Sequence, residues 1–582
     1  MAVEAERTQD PVRLTVGITA HRDLVATEES GIERLVGELF DMLAERFPDT
    51  PLQALCSLAE GGERVFARAA IARGIPLVVP LPLPREYYLD DFADPSSREE
   101  FETLSRDAKV FELPLRPGVT PEDVSRPGVL RDSEYAQLGV FVSSHSQILV
   151  AMWDGRPSDQ LGGTAQIVQY RLFNLYPSLA AIRRIGSETL AEGENDLTFQ
   201  IATSRTGTNG TPTTPREPLR TTWLTGYGES SATRAVPEKY ARVFDMTAEF
   251  NRDRDRLCTD CEAGDRGLLG LAAHGGWPAG VRSTHELFAA ADCLADHFQR
   301  RLNLALRSTY TLAVLMGAAF VGYSTVPEVR ALLYAFLVLF AAGFCLYEIA
   351  RRGEWHRKYL EYRVLAEGLR VQCYWTIAGI GDAGDGRFAH ENFLQLQDPE
   401  LGWIRQVMRD AALRAGPPED AGDAGLEFAQ RHWVGDGGDT PAGGQLGYYT
   451  RQARQRYRLH RATEMLGAVC LWSGMGIAVV LAILESRLLG STTFSVLIFL
   501  LGMLPLVAAV RGAYAHKRAD KELIKQYRFM ANTFRNARRR LDAATDAKGR
   551  REVLWALGDA ALDEHAEWIL MHRERPLERT KI

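Results

Sequence analysis

The chain is poor in several things that would place it at once. It has only seven cysteines in 582 residues, far short of the more than about 8% that marks a disulfide-stapled secreted scaffold. It has no large surplus of either charge: 68 Lys and Arg stand against 75 Asp and Glu, a formal charge of −7. With a sequence pI of about 6.0, direct binding of nucleic acid through bulk positive charge is not expected. The opening MAVEAERTQD has no apolar stretch, so no secretory signal peptide is expected there. Disorder throughout is excluded, because 46% of the residues are hydrophobic and net charge per residue is small. The mean hydropathy of −0.17 has the look of a soluble protein, and the length implies roughly three or four domains.

Local windows overturn that average. TYTLAVLMGAAFVGY (309–323) and RALLYAFLVLFAAGFCLYEI (330–349) flank a short turn, as do MLGAVCLWSGMGIAVVLAIL (465–484) and TFSVLIFLLGMLPLVAAV (493–510). A helix crosses about 30 Å of hydrocarbon with about 20 mainly apolar residues. The four runs predict two transmembrane hairpins, 309–349 and 465–510, rather than buried hairpins of a soluble core. Cations crowd the outer flanks: Arg300, Arg301 and Arg307; Arg351, Arg352, Arg357 and Lys358; Arg451, Arg454, Arg456, Arg458 and Arg461; Arg511, Lys517, Arg518, Lys521 and Lys525. The two turns hold only Arg330 and Arg487. Positive residues stay inside, which predicts a multi-pass membrane protein with both termini and the middle segment cytoplasmic. That compartment fits free thiols.

Residues 1–190 read as an α/β domain. RLTVGIT (13–19), PLQALCSL (51–58), IPLVVPLPLP (75–84) and SQILVAMWD (146–154) are strand-like and alternate with helical patterns at 32–47, 63–74 and 164–174. Such alternation predicts a parallel, doubly wound Rossmann-like sheet. Residues 191–280 read as a connector holding the polar linker SRTGTNGTPTTPREP (204–218). Residues 281–380 and 451–582 read as two helical units, each carrying one hairpin, with a cytoplasmic insert at 381–450. Long amphipathic helices are expected at 353–379, 512–547 and 551–570.

Three glycine-bearing loops follow strands: GITAHRDL (17–24), SLAEGGERVFARAA (57–70) and WDGRPSDQLGGTAQIV (153–168). In an open α/β sheet, ligands sit outside the carboxyl ends of the strands, where all three loops belong. Gly17, Gly61, Gly62, Gly162 and Gly163 allow close backbone approach to a phosphate, with helix N-termini behind Gly62 and at Thr164. Arg22 and Arg64 are donors suited to phosphate. Thr19, His21 and Trp153 stand beside them, and Glu60 or Asp154 suits ribose hydroxyls. Glu60, Glu63 and Asp154 would equally serve an enzyme that hydrolyses a nucleotide, and His21 is a candidate acid or base. Tyr87, Tyr88, Asp90 and Asp91 suit a base or ribose, or an exposed turn. Cys258, Cys261, Cys293 and His297 have the residue types of a tetrahedral zinc site, though without a second CxxC.

The succession VGITAHR, LAEGGERVFARAAIARGIPLVVPLPLPREYYLDDF and LVAMWDGRPSDQLGGTAQIV resembles the SLOG superfamily, which joins the LOG phosphoribohydrolases to nucleotide-sensing relatives. The resemblance covers roughly residues 12–185. It implies a nucleotide or NAD-derived ligand, with Gly162-Gly163-Thr164 as a shortened phosphate loop. The LOG enzymes carry a Glu after that Thr; here Gln166 and Gln169 follow, so hydrolase activity is not what the resemblance implies. YLEYRVLAEGLRVQCYW (359–375), HWVGDGGDTPAGGQLGYY (432–449) and LGDAALDEHAEWILMHRERPLE (557–578) resemble the SLATT membrane modules, over about residues 280–575. Together the two resemblances imply a bacterial antiviral defence effector of the inner membrane. It would sense a nucleotide second messenger made by an upstream enzyme and permeabilise the bilayer as a homo-oligomeric pore, with no further cofactor and no metal.

Overall fold

The structure is a computed structural model. It describes residues 10–573 apart from 93, 159, 174–195, 207–213, 227–229, 232–234, 259–267, 269–276, 327, 381–388, 390–392, 395–398, 417–421, 439–442 and 489–490. The chain forms two compact units: Met1–Ala290 with Glu367–Leu426, and Ala291–Ala366 with Glu427–Ile582.

The first unit is built on an eight-stranded sheet. Its elements are β1 Leu14–Ala20, α1 Glu29–Arg46, β2 Leu52–Leu55, α2 Gly62–Ile71, β3 Leu77–Leu81, α3 Arg85–Leu89, α4 Pro95–Ser105 and β4 Lys109–Glu112. There follow α5 Val129–His145, β5 Ile148–Trp153, α6 Thr164–Phe173, β6 Thr198–Ala202, β7 Thr221–Leu224, β8 Ser230–Ser231 and α7 Glu238–Leu257. β1 is a run of β-branched and apolar residues, nearly all buried, as expected of a strand covered on both faces. α1 buries Ile32, Val36, Leu39, Phe40 and Leu43, the stripe of an amphipathic helix. α4 starts where Asp94 accepts from Ser96 N and Pro95 occupies the first turn, both ordinary helix-start devices.

The strand order is β4-β3-β2-β1-β5-β6-β7-β8. β4 through β6 are parallel; β7 and β8 are antiparallel. The wholly parallel expectation is therefore corrected at one edge. Residues expected as a connector supply three strands instead: Leu197, Phe199 and Ile201 are buried along a strand that pairs with β5. The chain lays β2, β3 and β4 outward from β1, then returns to put β5 on β1's other side, with Val16 opposite Ile148. That reversal is a topological switch point. Leu55, Val78, Leu149, Ile167 and Phe141 share one buried cluster.

The remaining helices are α8 Ala279–Thr325, α9 Ala331–Arg352, α10 Trp355–Ile377, α11 Gly402–Ala415, α12 Gly422–Ala429, α13 Gly444–Leu488, α14 Thr492–Lys517, α15 Asp520–Ala543 and α16 Ala547–Arg573. In the first unit, α11 packs on α7: Phe250 lies against Trp403, and Thr247 Oγ1 donates to Gln406 Oε1 at 3.2 Å. Asn251 Nδ2 donates to Val12 O and Asp49 O, anchoring α7 to the start of β1. Lys109 Nζ reaches Leu413 O at 2.9 Å, a cation on the carbonyls that end α11.

Within the same unit His145 is buried and stacked on Phe141, ring centroids 4.0 Å apart. Burial pushes its imidazole down to about 3; the Phe141 carbonyl opposes this and Arg409 adds to it. The folded chain holds His145 neutral, while the unfolded chain takes up a proton below about 6.5. This contribution to stability is complete above pH 6.5 and is lost as pH falls toward 3. From pH 7 to 5 the loss is expected to be about 2 kcal/mol. Thermal midpoints across that range should fall less steeply in His145→Gln; equal slopes would refute the assignment.

The second unit holds the long apolar helices. Four helical stretches are long and apolar enough to cross a membrane, within Gly280–Thr325, Ala331–Ile377, Gly444–Leu484 and Thr492–Ala543. Their apolar side chains are outward: Leu337, Val338, Phe340, Met465, Trp472 and Ile483 are all more than half exposed. A soluble protein does not tolerate such a surface, whereas hydrocarbon covers it. α8 and α14 approach closely at glycines. A Cβ on Gly317 would come within 2.2 Å of Leu506, and one on Gly502 within 3.0 Å of Val321. Small residues at helix crossings are the usual basis of packing in lipid. The basic helix expected from 512 to 547 is two helices: α14 ends at Lys517, and Ala519, at φ +51°, breaks the chain before α15.

Candidate ligand-binding site

The carboxyl ends of β1, β2 and β5 bring the three glycine loops together. His21 N donates to Met152 O at 3.3 Å, and His21 O accepts from Gly62 N at 3.2 Å. Asp154 N donates to His21 Nε2 at 3.4 Å, and the same nitrogen lies 3.5 Å from the Asp154 carboxylate. Gly61 adopts φ +82°, and a Cβ there would sit 2.3 Å from Arg22 O. No side chain fits that approach, and L residues avoid that conformation. Burial lowers the His21 pKa, the Arg205 charge lowers it further, and Asp154 and Asp23 oppose them. The ring is therefore neutral at neutral pH.

The loop after β2 is braced from behind. The half-buried Glu63 side chain accepts at Oε2 from Ser57 N at 2.9 Å, Ser57 Oγ at 2.7 Å and Ala59 N at 3.2 Å. Burial raises its pKa against those hydrogen bonds. Between Ser57 and Ala59, Leu58 takes a left-handed φ of +60°, a strained choice for leucine. Tyr88 is fully buried and donates from its hydroxyl to Ser57 O at 3.0 Å; of the two turn readings for this tyrosine, the exposed one does not hold. Arg64 is also a bracing residue: Nε donates to Leu58 O and Nη1 to Glu100, and its guanidinium lies over Phe92. Glu60 accepts from Ser97 Oγ.

Arg22 lies over the Tyr135 ring, 5.4 Å from its centroid. Burial works against its charge, but Tyr135, Tyr88 and Asp91 outweigh this and raise its pKa. Asp91 accepts from Arg131 Nη2 at 2.7 Å and from the Tyr135 hydroxyl. The third loop folds back on itself: Trp153 Nε1 donates to Arg156 O at 2.9 Å and Arg156 N to Asp154 Oδ1 at 3.1 Å. Gly162, at φ +73°, rests against the α5 backbone at Tyr135 and Ala136. Gly162 N donates to Gln166 Oε1 at 3.2 Å, and Thr164 opens α6. Tyr135 thus adjoins both Arg22 and Gly162. Thr19 and Gly17 lie within β1, where Gly17 faces Ser146 and Val142.

The sequence reading missed the fourth wall, at the end of β6. Thr203 N donates to Trp153 O at 3.3 Å, Ser204 N to Glu28 Oε2 at 2.9 Å, and Arg205 Nε to Asp23 Oδ1 at 2.9 Å. Among the described residues the buried Thr203 and Ser204 hydroxyls have no hydrogen-bond partner, an uncommon condition for a polar group. The alternation of Leu197, Phe199 and Ile201 was the available signal.

The zinc alternative is not supported. Cys293 is disulfide-bonded, Cys258 donates to Ala290 O, and Cys261 lies outside the described residues. No group of three or more His, Cys, Asp or Glu among the described residues is placed to hold a metal. No family model, curated protein or solved structure matches the chain.

Proposed function

We propose that the chain is a ligand-gated membrane effector. Its α/β unit binds a nucleotide or NAD-derived messenger at the carboxyl edge of β1, β2, β5 and β6, and its helical unit permeabilises a bacterial inner membrane, as antiviral defence requires. The observation that supports this most is the meeting of His21, Arg22, Gly61, Gly62 and Asp154 at a switch point, in one chain with four membrane-length apolar helices. Arg22 supplies charge for phosphate, and the start of α6 adds backbone N–H groups. Glu63 Oε2 takes three donors from Ser57 and Ala59, and Glu60 Oε1 takes the Ser97 hydroxyl, so both carboxylates brace the loops; Asp154, 3.5 Å from His21 Nε2, is the carboxylate that a hydrolase would use.

The test is dye release from liposomes carrying the whole protein, across cyclic nucleotides, NAD and its cleavage products. Release with one class and no turnover is expected; turnover would favour a nucleotide-hydrolysing enzyme, and neither would sink both. Arg22→Ala is expected to weaken binding of the active compound about 10- to 100-fold by calorimetry, since a charge-assisted contact is lost.

A further inference from the structure

Outside the spans, α15 and α16 of the second unit carry opposite charges on their exposed faces. On α15, Lys521, Lys525, Arg528, Arg535 and Arg539 are exposed at successive spacings of four, three, seven and four residues, one stripe of a helix. In the middle of it Phe529 is 61% exposed. On α16, Asp563 and Glu567 are exposed, beside exposed Ala556 and half-buried Ala560. Arg528 lies over the Tyr457 ring, but Lys525, Arg528, Asp563 and Glu567 make no ion pair with one another in the chain. A large apolar side chain held in water inside a cationic stripe has the composition of an interface anchor.

The heights of these groups select the partner. α15 and α16 pack together, joined by a turn of three residues between Ala543 and Ala547, so they run antiparallel. α13, which also packs on α15, is continuous from Gly444 into its apolar run; the helices therefore stand along the membrane normal if the spans cross. Counted from the turn at 1.5 Å per residue, Arg528 is level with Asp563, Lys525 with Glu567 and Phe529 with Ala560, each to within about 3 Å. Copies arranged around an axis along the membrane normal keep every residue at its own height. We propose that the α15 stripe of one copy docks on the α16 face of the next, Phe529 against Ala556 and Ala560, with Lys525 and Arg528 against Glu567 and Asp563. The two patches differ, so the contact is head-to-tail and closes into a ring. This rests on the membrane reading above and gives it an assembly.

The full chain, in detergent and in nanodiscs, tests this by mass without any ligand. The wild type is expected to be an oligomer whose dissociation midpoint rises with salt. K525E/R528E and D563K/E567K are each expected to raise that midpoint about a hundredfold by juxtaposing like charges, with unchanged melting. The four substitutions together are expected to restore assembly. A monomeric wild type, or either double variant keeping its wild-type midpoint, overturns the proposal; so does a monomeric fourfold variant that melts normally. Failure of the ligand reading is seen separately, as absent nucleotide binding in an intact oligomer.

Discussion

Gly61→Val is expected to cost at least about 3 kcal/mol of stability and to abolish ligand binding. Two effects add. A β-branched residue at φ +82° is strained by about 1–2 kcal/mol. Its Cβ would also stand 2.3 Å from Arg22 O and 2.7 Å from Arg22 C, backbone atoms that cannot rotate away, so the first loop must separate from the second. Two neighbours calibrate the effect. At Gly62 a Cβ would meet Ala20 Cβ at 2.5 Å and Met152 Sδ at 2.7 Å; the methionine can adapt but the alanine cannot, and Gly62 lacks the left-handed φ of Gly61, so Gly62→Ala should be destabilising but cost less than Gly61→Val. Gly74 has φ +68° with nothing within 4 Å, so Gly74→Ala should show the conformational strain alone, about 1 kcal/mol, with binding intact. Thermal midpoints and binding isotherms on all three decide it. A Gly61→Val chain that melts like Gly74→Ala and still binds would show that the loops do not depend on this contact.

What the sequence made legible divides by range. An apolar run long enough to span hydrocarbon is a local property, so the four stretches around 309–349 and 465–510 were readable, and helices long and apolar enough stand there. β1, β3 and β5 were readable from their β-branched residues, and β2 from the short, mainly apolar run PLQALCSL. β4, four residues reading KVFE with none buried, carries no such signal. β6 lies close to a Thr, Gly and Pro segment that masked it. The break at Ala519 was invisible because alanine is a good helix former whose left-handed φ comes from its surroundings. The site divides in the same way. Each glycine loop could be found one at a time, but their meeting depends on β5 pairing with β1, a partnership 132 residues apart at Thr15 N and Gln147 Oε1. Arg64 shows the opposite error: its residue type suits phosphate, yet its place in the first turn of α2 turns it toward Leu58 O and Glu100.

Arg171→Met is expected to destabilise the α/β unit by about 3–5 kcal/mol, although Arg171 touches none of the candidate ligand-binding residues. The fully buried guanidinium donates to Ser146 O at 3.1 Å, Gln147 O at 3.0 Å, Leu197 O at 3.3 Å and also to Ser143 O. These carbonyls end α5, enter β5 and enter β6, so one side chain ties together three segments that set the register of Trp153 against Ala202. Methionine fills much of the volume but leaves those carbonyls without that donor, at about 1–3 kcal/mol for each group left unsatisfied, partly relieved by relaxation. Lysine keeps the charge but brings a single ammonium in place of a planar fork, so Arg171→Lys should fall between. Because Thr203 N bonds to Trp153 O, loosening β6 also displaces the wall carrying Ser204 and Arg205, and ligand affinity should fall along with the melting midpoint. Melting of the full chain in detergent, with binding measured well below the midpoint, separates the two effects. A methionine variant within about 1 kcal/mol of wild type would mean that water replaces the guanidinium, and that β6 is held by its strand pairing alone.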